Sequence, residues 1–153
     1  MAKSKKYLGH ILKLLAGSLA ALIVTACTLH IAPDYSPETA NSIVGTEKKI
    51  DKFYAGLTAT PEDQRKFQAF STEYQDVEVE IRALILRCKI EPMNDRSTEM
   101  ATTLLDLWQK IESRHKQKDG YGTVLAGDDQ ERLDNLLTDM ALVQQALKSK
   151  DTK

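Results

Sequence analysis

Apolar residues recur at helical spacing along most of this chain, and the longest such run lies in its middle. From Phe67 to Cys88, apolar positions alternate three and four residues apart without a break. This spacing places them on one face of an α-helix, as in a heptad repeat. Residues 76–81 alternate as a strand would, but the longer seam outweighs these six residues. The pattern predicts a helix that ends near Ile90, because Pro92 excludes its continuation.

Two helix starts in the first half are indicated by a hydroxyl residue followed by proline. Ser36-Pro37 and Thr60-Pro61 each place a capping side chain before a proline, which fits the first helical position. Glu62 and Asp63 follow the second proline, where acids complement the helix dipole. Helices are therefore predicted to begin at Pro37 and Pro61. The apolar positions expected on the first helix are Ile43, Ile50, Phe53, Tyr54 and Leu57.

Two more helices are predicted in the second half, separated by a glycine-rich loop. The third helix begins within residues 94–97 and ends before Gly120. A loop then runs from Gly120 to Gly127, and Asp128 caps the fourth helix with Glu131 three residues later, as in a capping box. The expected apolar positions are Met100, Leu104, Leu107, Trp108 and Ile111 on the third helix, and Leu133, Leu136, Leu137, Met140, Val143 and Leu147 on the fourth.

Four amphipathic helices with short or moderate connections predict an all-α fold, an antiparallel up-down bundle of about four helices. A pair of helical hairpins that completes its core by dimerising is the alternative. An aromatic content of 6%, seven glycines and four prolines argue against an all-β sandwich, which needs many short turns. We expect the bundle to cover residues 37–149 and a frayed tail to follow at 150–153.

The N-terminal segment has the layout of an export signal. Basic residues within the first 13 positions precede the apolar run Leu14–Val24, which is followed by small residues. The sequence Val24-Thr25-Ala26-Cys27 resembles the lipobox of bacterial lipoproteins, which reads apolar, small, alanine or glycine, cysteine. It matches all four positions. The remainder of the chain resembles small helical bacterial lipoproteins in architecture, without a specific motif.

This resemblance implies how the chain is processed and where it resides. A signal peptide of residues 1–26 is expected to be removed, Cys27 to carry diacylglycerol and an acylated amino group, and residues 27–36 to form a lipidated tether to the bilayer. Thr28, rather than aspartate, implies an outer-membrane anchor of enteric type facing the periplasm, or the cell surface if the host has one membrane. An uncleaved signal anchor over residues 11–32 and ordinary secretion are the alternatives.

The charge balance argues against nucleic acid as a partner. The whole chain has 21 basic and 22 acidic side chains. Residues 1–26 contain four lysines and no acid, so the remainder has 17 basic and 22 acidic side chains and a net charge of −5. Nucleic-acid binding depends on Lys and Arg neutralising phosphates. An acidic domain is therefore not expected to bind nucleic acid.

Lipidation of Cys27 leaves Cys88 without a cysteine partner in the same chain. An odd thiol in an oxidising compartment is buried, bridged to another molecule or reactive. Cys88 falls in the apolar seam of the second helix, where a thiol behaves as a small hydrophobe. The sequence therefore predicts a buried cysteine.

Candidate metal ligands occur in two places, and each has a simpler interpretation. Glu112-x-x-His115 matches the unit that di-iron bundles use twice, but it occurs once here. An exposed helix end is the favoured interpretation. Glu73, Asp76 and Glu80 share one helix face, where they could hold a cation or a basic partner, although a solvated face is more common. No metal or cofactor is expected.

No motif in the chain identifies a reaction. It lacks a glycine-rich phosphate loop, a zinc-binding cysteine pair and a Gly-x-Ser-x-Gly elbow. We therefore expect no catalytic residues and a lipoprotein that binds another envelope protein as adaptor, assembly factor or inhibitor. A carrier or sensor holding a small apolar ligand between its helices is the alternative.

The predicted loop at Gly120–Gly127 is the candidate contact with the envelope partner. Its length exceeds what two antiparallel helices require, and Tyr121, Val124 and Leu125 add apolar surface to it. The simpler interpretation is that Val124 and Leu125 cover the end of the core while Tyr121 rests on it.

Overall fold

The computed structural model describes residues 32–151, and these residues form the predicted all-α bundle. Its four α-helices are α1 (Pro37–Ala59), α2 (Phe67–Ile90), α3 (Asp95–Lys118) and α4 (Thr123–Asp151), with a 3-10 turn at Glu62–Gln64. Within residues 32–151 no strand occurs, so residues 76–81 are helical as predicted. Cys27 and the rest of the predicted signal segment lie outside the described residues.

The four helices close a ring within one chain. Each packs against its neighbour in sequence, and α1 also packs against α4. The short connections between them give the antiparallel order that the sequence predicted. One copy of the chain therefore completes the core, without the second copy that the hairpin alternative requires.

The interior is filled by the residues that the helical spacing predicted. The α2 seam is buried from Phe70 to Cys88, and Phe67 packs half-buried against it. Three rings meet at the centre, with the ring centroids of Phe53, Tyr74 and Trp108 separated by 4.6 to 5.1 Å. The indole Nε1 of Trp108 donates to the carbonyl oxygen of Tyr74 at 3.1 Å. Leu107, Leu136, Val143 and Leu147, all expected in the core, are half-buried at its edge.

The first helix start was predicted correctly, and the second was not. Ser36 Oγ accepts the N–H of Thr39 at 3.1 Å, and Pro37 is the first helical residue. After Thr60-Pro61 only a 3-10 turn forms, and α2 begins at Phe67. The Phe67 N–H is instead accepted by Asp119 Oδ1 at 3.0 Å. A carboxylate from the end of α3 therefore caps α2.

The predicted loop from Gly120 to Gly127 was also wrong. The connection between α3 and α4 covers residues 119–122, and Gly127 and Asp128 lie inside α4. The N–H of Thr123 is accepted by Glu62 Oε1 at 2.7 Å. Because Glu62 supplies a carboxylate to the first turn of α4, the helix can start before the capping pattern at Asp128. Helix α4 also continues through Asp151, into the segment expected to fray, and residues 152–153 lie outside the described part.

Candidate functional site

The residues predicted to contact a partner lie at one end of the bundle, here called the distal end, where α1 and α3 end and α2 and α4 begin. Tyr121 lies in the α3–α4 connection and is 3% exposed. Val124 is in the first turn of α4 and is 80% exposed. Leu125 is half-buried against the core. Leu125 therefore packs on the core and Tyr121 is buried at the bundle end, in line with the simpler interpretation, whereas Val124 is exposed and does not cover the core as that interpretation expected.

Tyr121 belongs to a hydrogen-bonded group with Arg114 and Asp129. Asp129, on α4, is fully buried, and its Oδ2 accepts from both the Tyr121 hydroxyl and Arg114 Nη2. Arg114 Nη2 also lies 3.2 Å from the Tyr121 hydroxyl oxygen. A buried carboxylate is costly unless it is paired and hydrogen-bonded; Asp129 meets both conditions through Oδ2, whereas its buried Oδ1 has no hydrogen-bond partner among the described residues. Burial, together with the adjacent Asp129, raises the pKa of Tyr121, so its hydroxyl stays protonated and continues to donate.

Arg65 joins the two connections at the distal end. Its guanidinium is 4% exposed and donates to the carbonyl oxygens of Thr60 at 2.7 Å, Thr58 at 3.2 Å and Tyr121 at 3.2 Å. A further bond goes to Thr123 Oγ1 at 3.0 Å. The planar fork of an arginine can satisfy several carbonyl groups at once. Arg65 therefore fixes the α1–α2 connection to the α3–α4 connection.

His115 lies inside the bundle, in contrast to the exposed helix end predicted from its sequence context. It is 1% exposed, its Nε2 lies 2.9 Å from the Arg65 carbonyl oxygen, and its Nδ1 lies 3.1 Å from the Tyr74 hydroxyl. Because a carbonyl only accepts, Nε2 carries the proton and Nδ1 accepts from Tyr74. Burial lowers the pKa of His115, which favours this neutral form. Both ring nitrogens are therefore occupied by protein groups rather than available to a metal.

The remaining carboxylate candidates line the side of the bundle. Glu73 and Asp76 are exposed and border a crevice of about 170 Å³ between α1 and α2, whose other rim carries Lys49 and Lys52. Glu80 lies further along α2 and is half-buried. Phe53, Phe70 and Val77 also line the crevice, but its volume is well below the roughly 300 Å³ at which ligand pockets begin. This crevice therefore gives no support to the carrier alternative.

The sequence contained no sign of the roles of Arg65 and Asp129. Both are charged residues next to other charged residues, and such positions are usually solvated. Their burial depends on partners 15 to 58 residues away in sequence, which no local pattern connects. The sequence predicted that Tyr121 lies on the surface of a long loop, but its hydroxyl is bonded to the buried Asp129.

The buried polar side chains at the distal end form hydrogen bonds with one another and with the two connections, and these bonds can hold the connections in place. Within residues 32–151 no three His, Cys, Asp or Glu side chains are grouped to hold a metal ion. None of the described helices is long and apolar enough to cross a membrane. Comparisons with protein-family models, with curated proteins and with solved structures gave no match to this chain.

Proposed function

We propose that this chain is a lipid-anchored lipoprotein of a bacterial envelope whose helical bundle is a non-catalytic module that binds another envelope protein. The observation that carries the anchor is the match of Val24-Thr25-Ala26-Cys27 to a lipobox behind a basic, short apolar leader. Cys27 bears the lipid, residues 1–26 are removed, and Thr28 directs the protein to an outer membrane, where the bundle faces the periplasm.

The short distance in sequence between Cys27 and the first helix supports a function close to the membrane. Helix α1 begins at Pro37. The intervening residues 28–36 span no more than about 30 Å when fully extended. Each CH₂ group of an acyl chain that enters the bilayer adds about 0.8 kcal/mol of binding free energy, so several chains on one cysteine anchor a protein far more stably than a single chain. The bundle is thus presented to partners in or near the same membrane.

The anchor is tested by metabolic labelling with a fatty acid and by the mass of the mature N-terminus. Wild-type protein is expected to incorporate label and to begin at an acylated Cys27. The Cys27→Ser variant is expected to remain unlabelled and unprocessed. A wild-type chain that keeps Met1 or takes up no label would overturn the anchor.

The proposed partner surface is the exposed first turn of α4 around Val124, supported from below by Tyr121 and Leu125. Val124 is an apolar side chain that is 80% exposed in the first turn of α4, next to the connection that buried Arg65 holds in place, so a partner would meet it on a rigid support. A catalytic function has no comparable support, because Asp129, Tyr121 and His115 at this end are held in hydrogen bonds to protein groups.

A photoreactive residue at the exposed position of Asp128, one turn from Val124, tests this surface in intact cells. A discrete adduct with an envelope protein is expected, and Val124→Glu is expected to abolish it. Leu142→Glu is the matched control, because Leu142 is an exposed apolar residue elsewhere on α4. An adduct that survives Val124→Glu, or no adduct at all, contradicts a partner at this surface. The test does not replace Tyr121, whose loss would disturb folding.

A further inference from the structure

Helix α2 carries a second row of apolar residues, on the side opposite its buried seam. Val79, Leu86 and Ile90 are 66%, 62% and 63% exposed, and the small residue Ala83 lies between them in the row. We call these four residues the outer seam. Their spacings of four, three and four residues repeat the heptad spacing of the core. A helix that faces solvent is normally polar on this side, so the outer seam has the pattern of a helix-packing surface.

The charged residues beside the outer seam are divided along the helix. The charged residues of α2 up to position 80 are all acids (Glu73, Asp76, Glu78 and Glu80), and those after it are all bases (Arg82, Arg87 and Lys89). Within the first helix half only acids occur, and within the second half bases predominate around the seam. The outer seam itself has one acid, Glu80, near its start and the bases Arg87 and Lys89 near its end, so an antiparallel copy brings Glu80 close to the basic end of the facing seam. This complementarity is a property of α2 with itself.

We propose that α2 packs antiparallel against α2 of a second copy of this chain, through the outer seam. The twofold axis passes between Leu84 and Ile85, which sets Ala83 opposite Leu86 of the second copy and Val79 opposite Ile90 of the second copy. Such an isologous contact uses the same patch twice. A groove of about 200 Å³ lined by Leu86, Arg82, Ile85 and Lys89 runs along one edge of the outer seam.

The same register pairs opposite charges across one edge of the contact. Glu80 of one copy lies opposite Arg87 of the second copy, and the symmetry makes this pair twice. On the other edge, Arg82 lies across from Lys89 of the second copy, but the charge of Arg82 is already neutralised within its own helix, because its Nη2 lies 2.5 Å from Glu78 Oε1. A parallel arrangement would instead set Arg82 beside Arg87 of the second copy, which brings two like charges together. The charges therefore select the antiparallel orientation.

A second copy fits this surface better than a bilayer does. Anionic lipid headgroups attract basic residues around an apolar helix face. Val79, however, is flanked by Glu78 and Glu80, and these acids oppose contact with such a surface along half of the seam. The regular heptad spacing likewise matches a facing helix rather than a fluid interface.

The position of the outer seam is compatible with two copies on one membrane. Thr39 Oγ1 donates to Glu91 Oε1 at 2.6 Å, so the start of α1 lies beside the end of α2. The seam occupies the last part of α2, so the two α1 helices begin at opposite ends of the contact, about 20 Å apart along the helix direction. Two chains confined to one surface meet at a high effective concentration, so a contact of one helix from each copy suffices. The dimer itself does not depend on lipidation.

Disulfide trapping tests the register. Because a helix rises 1.5 Å per residue, the two copies of residue 83 are offset by about 4.5 Å along the axis, and those of residue 79 by about 16 Å. Ala83→Cys is expected to form a disulfide-linked dimer in membranes under mild oxidation, and Val79→Cys alone is not. Adding Ile90→Cys to Val79→Cys is expected to restore the link. Wild-type protein under the same oxidation controls for Cys27 and Cys88.

The result that overturns the antiparallel register is equal trapping by Ala83→Cys and Val79→Cys, which a parallel pair would give. Absence of any link in both the single variant at 83 and the double variant at 79 and 90 overturns the dimer. These readings are separate from fatty-acid labelling of Cys27, so loss of the anchor and loss of the dimer are distinguishable.

Sedimentation of the purified full-length chain in detergent, over a concentration series, tests the energetics. Leu86→Glu is expected to raise the dimer dissociation constant about tenfold or more, whereas the matched control Leu142→Glu leaves it unchanged. Glu80→Lys and Arg87→Glu are each expected to weaken the dimer, and the double variant to recover wild-type association. Thermal melting establishes that each variant is folded.

Two outcomes of this experiment contradict the proposal. One is a chain that stays monomeric at all concentrations while Leu86→Glu reduces its binding to phosphatidylglycerol vesicles, which would assign the outer seam to the bilayer. The other is a double charge variant no better than the singles, which would remove the Glu80–Arg87 pairing and with it the antiparallel register.

Discussion

Replacing His115 with glutamine tests whether a neutral histidine is part of the folded distal end. His115 Nε2 donates to the Arg65 carbonyl, and its Nδ1 accepts from the Tyr74 hydroxyl. A glutamine side chain also has one donating and one accepting group, so His115→Gln keeps the bonding pattern while removing the titratable ring. The pH dependence of stability that belongs to His115 should disappear in this variant.

The direction in which stability changes with pH follows from the lowered pKa of His115. Burial is the main cause of this lowering, and the Arg65 carbonyl and Asp119 oppose it. The unfolded chain has the ordinary histidine pKa of about 6.5 and therefore binds a proton before the folded chain does. The contribution of His115 to the free energy of unfolding is fully present above a pH of about 6.5 and decreases as the pH falls below that value. The loss is at most about 1.4 kcal/mol per pH unit, until the folded pKa is reached.

Two carboxyl groups change the free energy of unfolding with pH in the direction opposite to His115. The quantity to measure is therefore the difference in this free energy between the wild type and His115→Gln. Burial raises the pKa of Glu112 and, together with Asp51 and Glu47, that of Asp134. These carboxyls bind protons more readily in the folded chain and stabilise it as the pH falls. Glutamine at position 115 leaves them in place. Subtracting the variant from the wild type therefore isolates His115.

The assay is urea unfolding of both proteins between pH 5.0 and 8.0, followed by circular dichroism. The difference in the free energy of unfolding, wild type minus His115→Gln, is expected to fall by up to about 1.4 kcal/mol between pH 7.5 and pH 5.5. A difference that stays flat over this range would refute the neutral, buried state of His115. A difference that rises as the pH falls would show that the folded chain prefers the charged ring.

Three further predictions concern the interior and the connections. Burial raises the pKa of the Cys88 thiol to about 11, so a maleimide is expected to modify it slowly in the native protein and rapidly in urea; fast native modification would contradict its burial. Gly127→Ala is expected to stabilise the protein by about 0.5–1 kcal/mol, because Gly127 is helical and a Cβ there meets open space. Gly56→Ala, equally open in α1, is the matched control, and a loss of stability in Gly127→Ala alone would argue for a loop. Arg65→Ala is expected to cost about 3 kcal/mol or more, since it removes four hydrogen bonds to a buried cation; a change below about 0.5 kcal/mol in urea unfolding would mean that Arg65 does not join the connections.

The features that depend on the spacing of apolar residues could be predicted from the sequence alone. The buried seam of α2, the end of that helix at Ile90 and the burial of Cys88 all follow from apolar spacing and one proline. Each is decided by residues within a few turns of one another, because a helix turns by a fixed angle per residue. The α1 start is local in the same way, since Ser36 caps an N–H three residues later.

The starts of α2 and α4 were decided by the tertiary structure. Asp119 caps α2 and Glu62 caps α4, across 52 and 61 residues of sequence. The local patterns at Thr60-Pro61 and Asp128 predicted other starting points, because any carboxylate brought near a free N–H can replace a local cap. Which carboxylate that is depends on how the connections meet.

The arrangement of the polar residues at the distal end was likewise decided by the tertiary structure. Tyr121, His115 and Asp129 look like surface residues in sequence, and each becomes buried only when Arg65 and Arg114 from other segments reach them. Burying a polar group is favourable only with its partners in place, and those partners are assembled by the fold. The sequence alone determined the number of helices and their core faces, and it is the sole basis of the proposed lipid anchor. Folding decided which charged residues lie inside and left the outer seam of α2 exposed, since a single ring of four helices covers only one face of each helix.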